Sequence, residues 1–514
     1  MDDRPLAVDS GPWTVDRFSY LSGMKSTFRE YSLIIILTVI GPALGAQQKP
    51  NIIIFIGDDI SYNDFGCYGH PVIRTPNIDR LARNGLRFTN AFLTTSSCSP
   101  SRTSIITGRY PHNTGAAELH SDLPDNQIPF PRLLRNAGYY TAQAGKWHFG
   151  SGQSEPGDAM SGAFDRTGGH VGDGGGSSGA ERWVEYVRER PDGKPFFMWF
   201  AAHDAHRGWD DDFVPVHYKA SDVVVPPFLR DTPATREDLA LYYGEVSRFD
   251  HYIGKVIEEL EDQDVLGNTI VVVMADNGRP FPRNKTRMYD EGIKTPFVIH
   301  WPEGIPQNGL VSNSLISAVD IAPTIMDVSG VLSPGTFQGR SFRNLLRRPG
   351  KKFRTYVFAE HNWHDFMAYE RMVRTEQFLY IENGLPERDN RGAIDIMGGG
   401  AGRELQKGLE EGKLTDLQER IFLTPQPEKE FYDCRNDSLQ VDNLTAIPDF
   451  KKQQQQLARI LALWKDQTGD SQPSDLTGDW YDRITNRALP EKGKRGTMPG
   501  ARNHAHQVHH PGPF

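Results

Sequence analysis

The sequence predicts an α/β protein with a doubly wound, mostly parallel core sheet and a smaller C-terminal α+β domain. Three observations carry that prediction. Continuous apolar runs recur between amphipathic helical stretches, which is the pattern of strands covered by helices on both faces. Several of these runs end in charged or amide residues, at the end of the strand where open α/β sheets gather their ligands. Beyond about residue 366 the pattern shifts to short strands separated by turns, with one amphipathic helix.

Length and composition agree with this. At 514 residues the chain exceeds one minimal domain. Its 50 glycines, 35 prolines and 24% charged residues describe a loop-rich globular protein. The net charge of -9 disfavours a nucleic-acid surface, so an anionic ligand would need a local cationic pocket. The three cysteines, Cys67, Cys98 and Cys434, make no disulfide framework, although Cys67 and Cys434 remain available either as a pair or as two free thiols.

The chain opens with an export signal. Lys25 and Arg29 precede an apolar run at 33–40, followed by small residues that end at Gly45 and Ala46. The run is too short to span a bilayer, so no stable span is expected in the mature protein. Met24 is the candidate initiator. The protein is expected to be secreted or periplasmic, a setting that permits disulfides. The domain plan is then an N-terminal extension and signal over 1–46, a main domain over 47–365, an α+β subdomain over 366–480 and a polar tail over 481–514.

The first core strand is the run at 51–57, and it delivers Asp58 and Asp59. Adjacent aspartates after a strand serve equally well as a helix cap or a solvated turn. A helix follows over 75–85 with Gly85 as its C-terminal stop, then a short strand over 88–92. Cys98-Ser99-Pro100-Ser101-Arg102 comes next, with a helix predicted over 101–107. A helix N-terminus there favours an anion, and Arg102 lies one turn from Cys98. A strand over 139–144 leads to Lys146 and His148, whose spacing points both to one side of an extended chain. The competing reading is a surface pair at a strand end.

The glycine-rich stretch 168–179 is a flexible loop without phosphate-loop spacing, and 181–189 is a helix. The run at 195–202 is a second buried strand and delivers His203-Asp204-Ala205-His206-Arg207. One histidine is most often structural, but two at such a strand end favour a site. A long amphipathic helix covers 237–260, with Leu239, Tyr243, Val246, Phe249 and Ile253 facing the core. The strand at 269–275 ends in Asp276 and Asn277. Lys285 follows, then a strand over 297–300, a helix over 320–326 and a further core strand over 356–359. The smaller domain contributes strands at 371–374, 378–381 and 431–433 and a helix over 450–464. The histidines of the tail, His504, His506, His509 and His510, offer adventitious metal ligands.

Asp58, Asp59, Asp276 and Asn277 form a set of hard oxygen ligands from separate strands. Such a set suits Ca²⁺ or Mg²⁺, and three carboxylates brought together without a cation would repel.

These motifs, in this order, resemble those of the formylglycine-dependent sulfatases, whose activation site is a cysteine followed by proline two residues on and arginine four residues on. The resemblance covers about residues 49 to 470, including Glu430-Phe431-Tyr432-Asp433. The stretches 203–207 and 276–282 are most similar to the heparan N-sulfatase branch. That branch has proline where this chain has Ala205, and arginine where Lys285 aligns; a lysine point charge and an arginine fork grip sulfate differently.

The resemblance implies an alkaline-phosphatase-like core. It implies conversion of Cys98 to formylglycine by a formylglycine-generating enzyme, and one Ca²⁺ held by Asp58, Asp59, Asp276, Asn277 and the modified Cys98. It further implies that Arg102 and Lys146 stabilise the hydrated aldehyde and that His148 takes a proton from it. His206 would hold sulfate and help protonate the leaving group, and Lys285 and His203 would bind substrate. The implied substrate is a sulfated carbohydrate, cleaved at an ester or a sulfamate, with N-sulfoglucosamine favoured. An unmodified thiol cannot complete that cycle, because its sulfate adduct has no second hydroxyl with which to eject sulfate. Two other readings remain open. One is a phosphatase or phosphodiesterase of the same superfamily, which would use Ser or Thr and histidine-rich zinc sites. The other is a non-catalytic protein that binds sulfated glycans. The sequon at Asn284 adjoins Lys285 and is expected to be unused.

Overall fold

A computed structural model describes residues 48–150, 159–169, 177–209, 213–389 and 391–514. The expected export signal and the middle of the glycine-rich loop lie outside the described residues. Residues 49–514 form one compact unit. Its strands are β1 (Asn51–Gly57), β2 (Leu86–Phe88), β3 (Ala91–Phe92), β4 (Tyr140–Gly145), β5 (Arg166–Gly168), β6 (Phe196–Ala201) and β7 (Thr269–Ala275), then β8 (Phe297–His300), β9 (Leu310–Ser312), β10 (Ile316–Ser317), β11 (Val357–His361), β12 (Glu370–Arg374), β13 (Phe378–Asn383) and β14 (Lys429–Asp433).

The main sheet has the order β5-β4-β6-β1-β7-β8-β2-β9. Strands β5, β4, β6, β1 and β7 run parallel, whereas β8 is antiparallel to both β7 and β2. The apolar run of β1 reads without alternation because both of its faces are buried. Ile53 and Phe55 point into one core, and Ile52, Ile54 and Ile56 into the other. The first core is covered by the helix Pro233–Asp262, which is longer than expected at both ends and starts with Pro233 behind a Thr232 cap. The second is covered by the helices Cys98–Thr107 and Ile321–Val328.

Two expectations need correction. The strand expected over 356–359 in the core sheet instead opens the second sheet, an antiparallel β11-β12-β13-β14 ladder backed by the helix Lys451–Thr468. Its burial on both faces gives it the continuous apolar look of a core strand. The segment 88–92 is split between β2 in the main sheet and β3, which pairs with β10. Several helices were not anticipated, among them Phe130–Asn136, Arg343–Arg347, Ile394–Gly398 and Gly400–Glu410. The polar tail is a packed strap: Arg109 donates to the carbonyls of His506 and Val508 at 3.0 and 2.8 Å.

Candidate active site

Register places the site. Gly57 pairs with Ala275, Ile56 with Ala201, and Gly145 with Ala201, so β4, β6, β1 and β7 end side by side. The residues that follow them, Lys146, His203, Asp58 and Asp276, therefore share one edge. Strand alternation would send Asp58 and Asp59 to opposite sides. Asp59 adopts a left-handed conformation at φ 60°, which an aspartate tolerates better than most residues; Asp58 groups with Cys98 and Asp276, whereas Asp59 groups with His206 and Asp395. Gly145, at φ 88°, is required where β4 ends, because a Cβ there would lie 2.0 Å from the Ala201 carbonyl oxygen.

The nucleophile candidate comes from another element. The helix begins at Cys98 itself, three residues earlier than predicted, with Ser97 as its N-cap. Cys98 is 2% exposed, and its Sγ lies 3.9 Å from Asp59 Oδ1. Burial pushes its thiol well above the ordinary value, against the pull of Lys146 and Lys285. An unmodified Cys98 is thus protonated and a poor nucleophile.

Three cations interleave with the carboxylates. Arg102, fully buried, donates from Nε to Asp276 Oδ2 at 2.8 Å, and its Nη2 is 2.7 Å from the same oxygen. It reaches the carboxylate and not back along its own helix to Cys98. Lys146 pairs with Asp58. Lys285 Nζ donates to Asp59 Oδ2 at 2.8 Å. Asn277 Nδ2 donates to Asp59 Oδ1 at 2.6 Å. Burial alone would raise Asp58, but Lys146, His206, Arg102 and Lys285 together hold it well below the carboxylate range. Burial raises Asp276 to about 7, with Arg102 opposing.

The extended geometry expected for Lys146 and His148 is not found. His148 is left-handed at φ 46°, and its Nε2 lies 2.9 Å from His120 Nδ1. Burial, Lys146 and His120 hold it well below the usual histidine value, so it is neutral. Burial and Lys146 likewise lower His203, to about 3. His206 Nδ1 lies against the Arg207 carbonyl, which only accepts, so that nitrogen carries the hydrogen. Its Nε2 faces Asp59 and Asp395 at 4.0 and 3.7 Å.

The donor set fits a hard divalent cation. Asp58, Cys98 and Asp276 each offer one ligand atom, all within 4.8 Å of one another. The buried Oδ1 atoms of Asp58 and Asn277 accept no hydrogen bond among the described residues. Oxygen acceptors left without donors beside three carboxylates suit Ca²⁺ or Mg²⁺.

Sequence reasoning missed several neighbours. Asp395 lies 3.1 Å from Lys285 Nζ. His364 Nδ1 meets the Ser97 hydroxyl at 2.7 Å. Asp204, pinned by Arg248 at 2.7 Å and by Ser178 at 2.6 Å, fixes the turn between His203 and His206. The available hint was the place of Asp204 between His203 and His206, in a stretch already singled out. Cys67 and Cys434 are free thiols. Asn284 is 0% exposed, which leaves its sequon inaccessible to a glycan.

Two family models match the chain, one described as Sulfatase over residues 50–331 and one described as N-sulphoglucosamine sulphohydrolase, C-terminal, over residues 283–385. The chain is 31% identical over 481 residues to an N-sulphoglucosamine sulphohydrolase of Homo sapiens, an alignment covering 85% of this chain and 93% of the relative. It is 28% identical to an ulvan-active sulfatase of Formosa agariphila, covering 83% and 76%. A structure solved in complex with its substrate D-glucosamine-2-N,6-O-disulfate superposes with a TM-score of 0.61 at 21% identity, covering 82% of this chain and 98% of that one.

Proposed function

This chain belongs to the sulfatase family, and from that premise we propose that Cys98, oxidised to formylglycine, is the nucleophile with which it releases sulfate from a sulfated sugar. It is a sulfatase with the alkaline-phosphatase-like fold. The observation that carries the proposal is the placement of Cys98 at a helix N-terminus, 3.9 Å from Asp59, among three carboxylates and three interleaved cations.

The oxidised side chain supplies an aldehyde that, unlike a thiol, is regenerated after each transfer. Asp58, Asp59, Asp276 and Asn277 would hold Ca²⁺, which supplies positive charge beside the nucleophile and a sulfate oxygen. The chain's own residues do the rest. Arg102 and Lys146 stand beside the nucleophile, and Lys285 directs an N–H towards a sulfate oxygen. Neutral His148, whose buried Nδ1 has no partner among the described residues, accepts a proton there. His206, with Nδ1–H fixed on a carbonyl, presents Nε2 to hold sulfate and, when protonated, to donate to the leaving oxygen or nitrogen. His203 stands near Lys146, Asp58 and His206 and would contact the substrate. Losing one such preorganised contact costs about 3–4 kcal/mol of barrier.

N-sulfoglucosamine is the favoured substrate, on the support of the C-terminal family match and the 31% identity. The ulvan-active relative at 28% keeps O-sulfated polysaccharides in the test. Export is proposed from the signal at 24–46, and a formylglycine-generating enzyme is the maturation partner. No described helix is long and apolar enough to cross a membrane. Mass spectrometry of the peptide spanning Cys98, with sulfate release from N-sulfoglucosamine, aryl sulfate and an aryl phosphate control, tests the whole reading. An intact thiol in active material, or faster turnover of the phosphate, would overturn it.

A further inference from the structure

Lys285 has two carboxylate partners, not one. Its Nζ donates to Asp59 Oδ2 at 2.8 Å and to Asp395 Oδ2 at 3.1 Å. An ammonium group has three N–H donors, so two are committed and the third has a fixed direction. Asp395 is itself anchored. Its Oδ1 accepts the Ile396 N–H at 2.9 Å, and the neighbouring Ile394 N–H donates to Asp365 Oδ2 at 3.2 Å. The residue beside Asp365, His364, bonds to Ser97, the N-cap of the Cys98 helix. The loop at 364–365 thereby ties the short helix Ile394–Gly398 to the nucleophile's own helix.

We propose that Asp395 is a positioning residue that aims the third N–H of Lys285 at the sulfate oxygen. The proposal rests on the sulfatase reading of the site. Lysine carries its charge on a flexible four-carbon stem and has no fork to orient it, so a chain that uses lysine at this position needs an external guide. Asp59 alone is a poor guide, because its carboxylate also serves the cation site. The second carboxylate comes from the C-terminal part of the chain, which therefore contributes to the reaction and not only to the fold.

Charge alone predicts the opposite consequence. Asp395 is an anion, with its side chain 23% exposed, beside a pocket for an anion. If it acted only through its field, Asp395→Asn would relieve repulsion and tighten sulfate binding. If it aims Lys285, the same change loosens the grip.

The experiment uses the mature enzyme with Ca²⁺ and a sulfated substrate that the wild type turns over. It reads kcat, KM and inhibition by inorganic sulfate for Asp395→Asn, Asp395→Glu, Lys285→Ala and the Lys285→Ala/Asp395→Asn double variant. Asp395→Asn is expected to lower kcat about ten- to a hundredfold, the usual effect of removing a partner that orients a primary ligand, and to weaken sulfate inhibition. Asp395→Glu recovers part of that loss. In the Lys285→Ala background Asp395→Asn costs less than about threefold, because the group it aims is gone. Tighter sulfate inhibition in Asp395→Asn, or its full loss persisting without Lys285, overturns the proposal. Should Asp395→Asn fail to fold, Asp395→Glu decides: a kcat unchanged within about twofold together with sulfate inhibition no weaker than wild type counts against positioning, since an added methylene displaces the carboxylate. A wild type that releases no sulfate from any substrate defeats the sulfatase reading instead, so the two failures are distinguishable.

Discussion

Arg102 shows how tightly charge is balanced at single residues. It is 0% exposed, and its guanidinium meets Asp276 through Nε and Nη2. Removing one partner of such a pair strands a buried charge. Asp276→Ala is therefore expected to lose about 3–5 kcal/mol of stability, read as a fall in the denaturant midpoint at constant slope. The same variant should lose its response to calcium. With the proposed Ca²⁺ bound, a concentration a hundredfold over its dissociation constant should add about 2.7 kcal/mol of stability to the wild type, which a chelator should remove. A chelator-induced fall in melting temperature of equal size in Asp276→Ala and wild type would show that the cation sits elsewhere.

The helices are tied together by the same kind of contact. The helix Pro76–Arg83 has no side-chain cap of its own. Its first-turn N–H groups, at Asn77 and Ile78, donate instead to Asp250 at 3.3 and 2.8 Å, from the middle of the helix Pro233–Asp262. Burial pushes Asp250 up to about 7. The native state then keeps a proton that the unfolded chain has already lost between about pH 4 and 7, so the stability this carboxyl contributes is complete below about pH 4 and is lost as pH rises through about 7. The melting-temperature gap between wild type and Asp250→Ala should narrow from pH 5 to pH 8, and a gap that widens would reverse the sign. Local signals announce most of the elements. The unbroken apolar runs of β1, β6 and β7 read as buried strands, and the polar residues that end them read as a site. Backbone geometry was not legible: the left-handed turns at Asp59 and His148 leave no periodic trace in the sequence. Asp395 was not legible either, because its helix spans five residues beside three consecutive glycines, too few for a hydrophobic period.

Across the whole molecule, the C-terminal third closes the structure that carries Cys98. The second sheet contributes Glu360, which accepts from the backbone and ring of His112 at 3.0 and 2.9 Å, just beyond the Cys98 helix. The last residues extend that role. Arg109, 3% exposed, donates to the carbonyls of His506 and Val508 and bonds His509 Nδ1 at 2.9 Å. Asn113 donates to the Ala505 carbonyl at 2.7 Å, and Gln338 to that of His510 at 2.9 Å. The Phe514 ring lies under the guanidinium groups of Arg340 and Arg354, at 3.9 and 4.3 Å. The tail thus packs mostly through backbone carbonyls, which a sequence reading of a polar, His-rich segment has no way to see. A chain ending at residue 499 loses all five of these hydrogen bonds, at about 1 kcal/mol each. For a folded unit of this size about 1 kcal/mol corresponds to about 1 °C, so its melting temperature should fall by about 5 °C. Replacing His504, His506, His509 and His510 with glutamine keeps the four backbone carbonyl and ring-independent contacts and should cost less than half as much. An appendage would give the reverse ranking, or no shift in either variant, because only a strap that packs by its main chain responds to removal and tolerates exchange of its side chains.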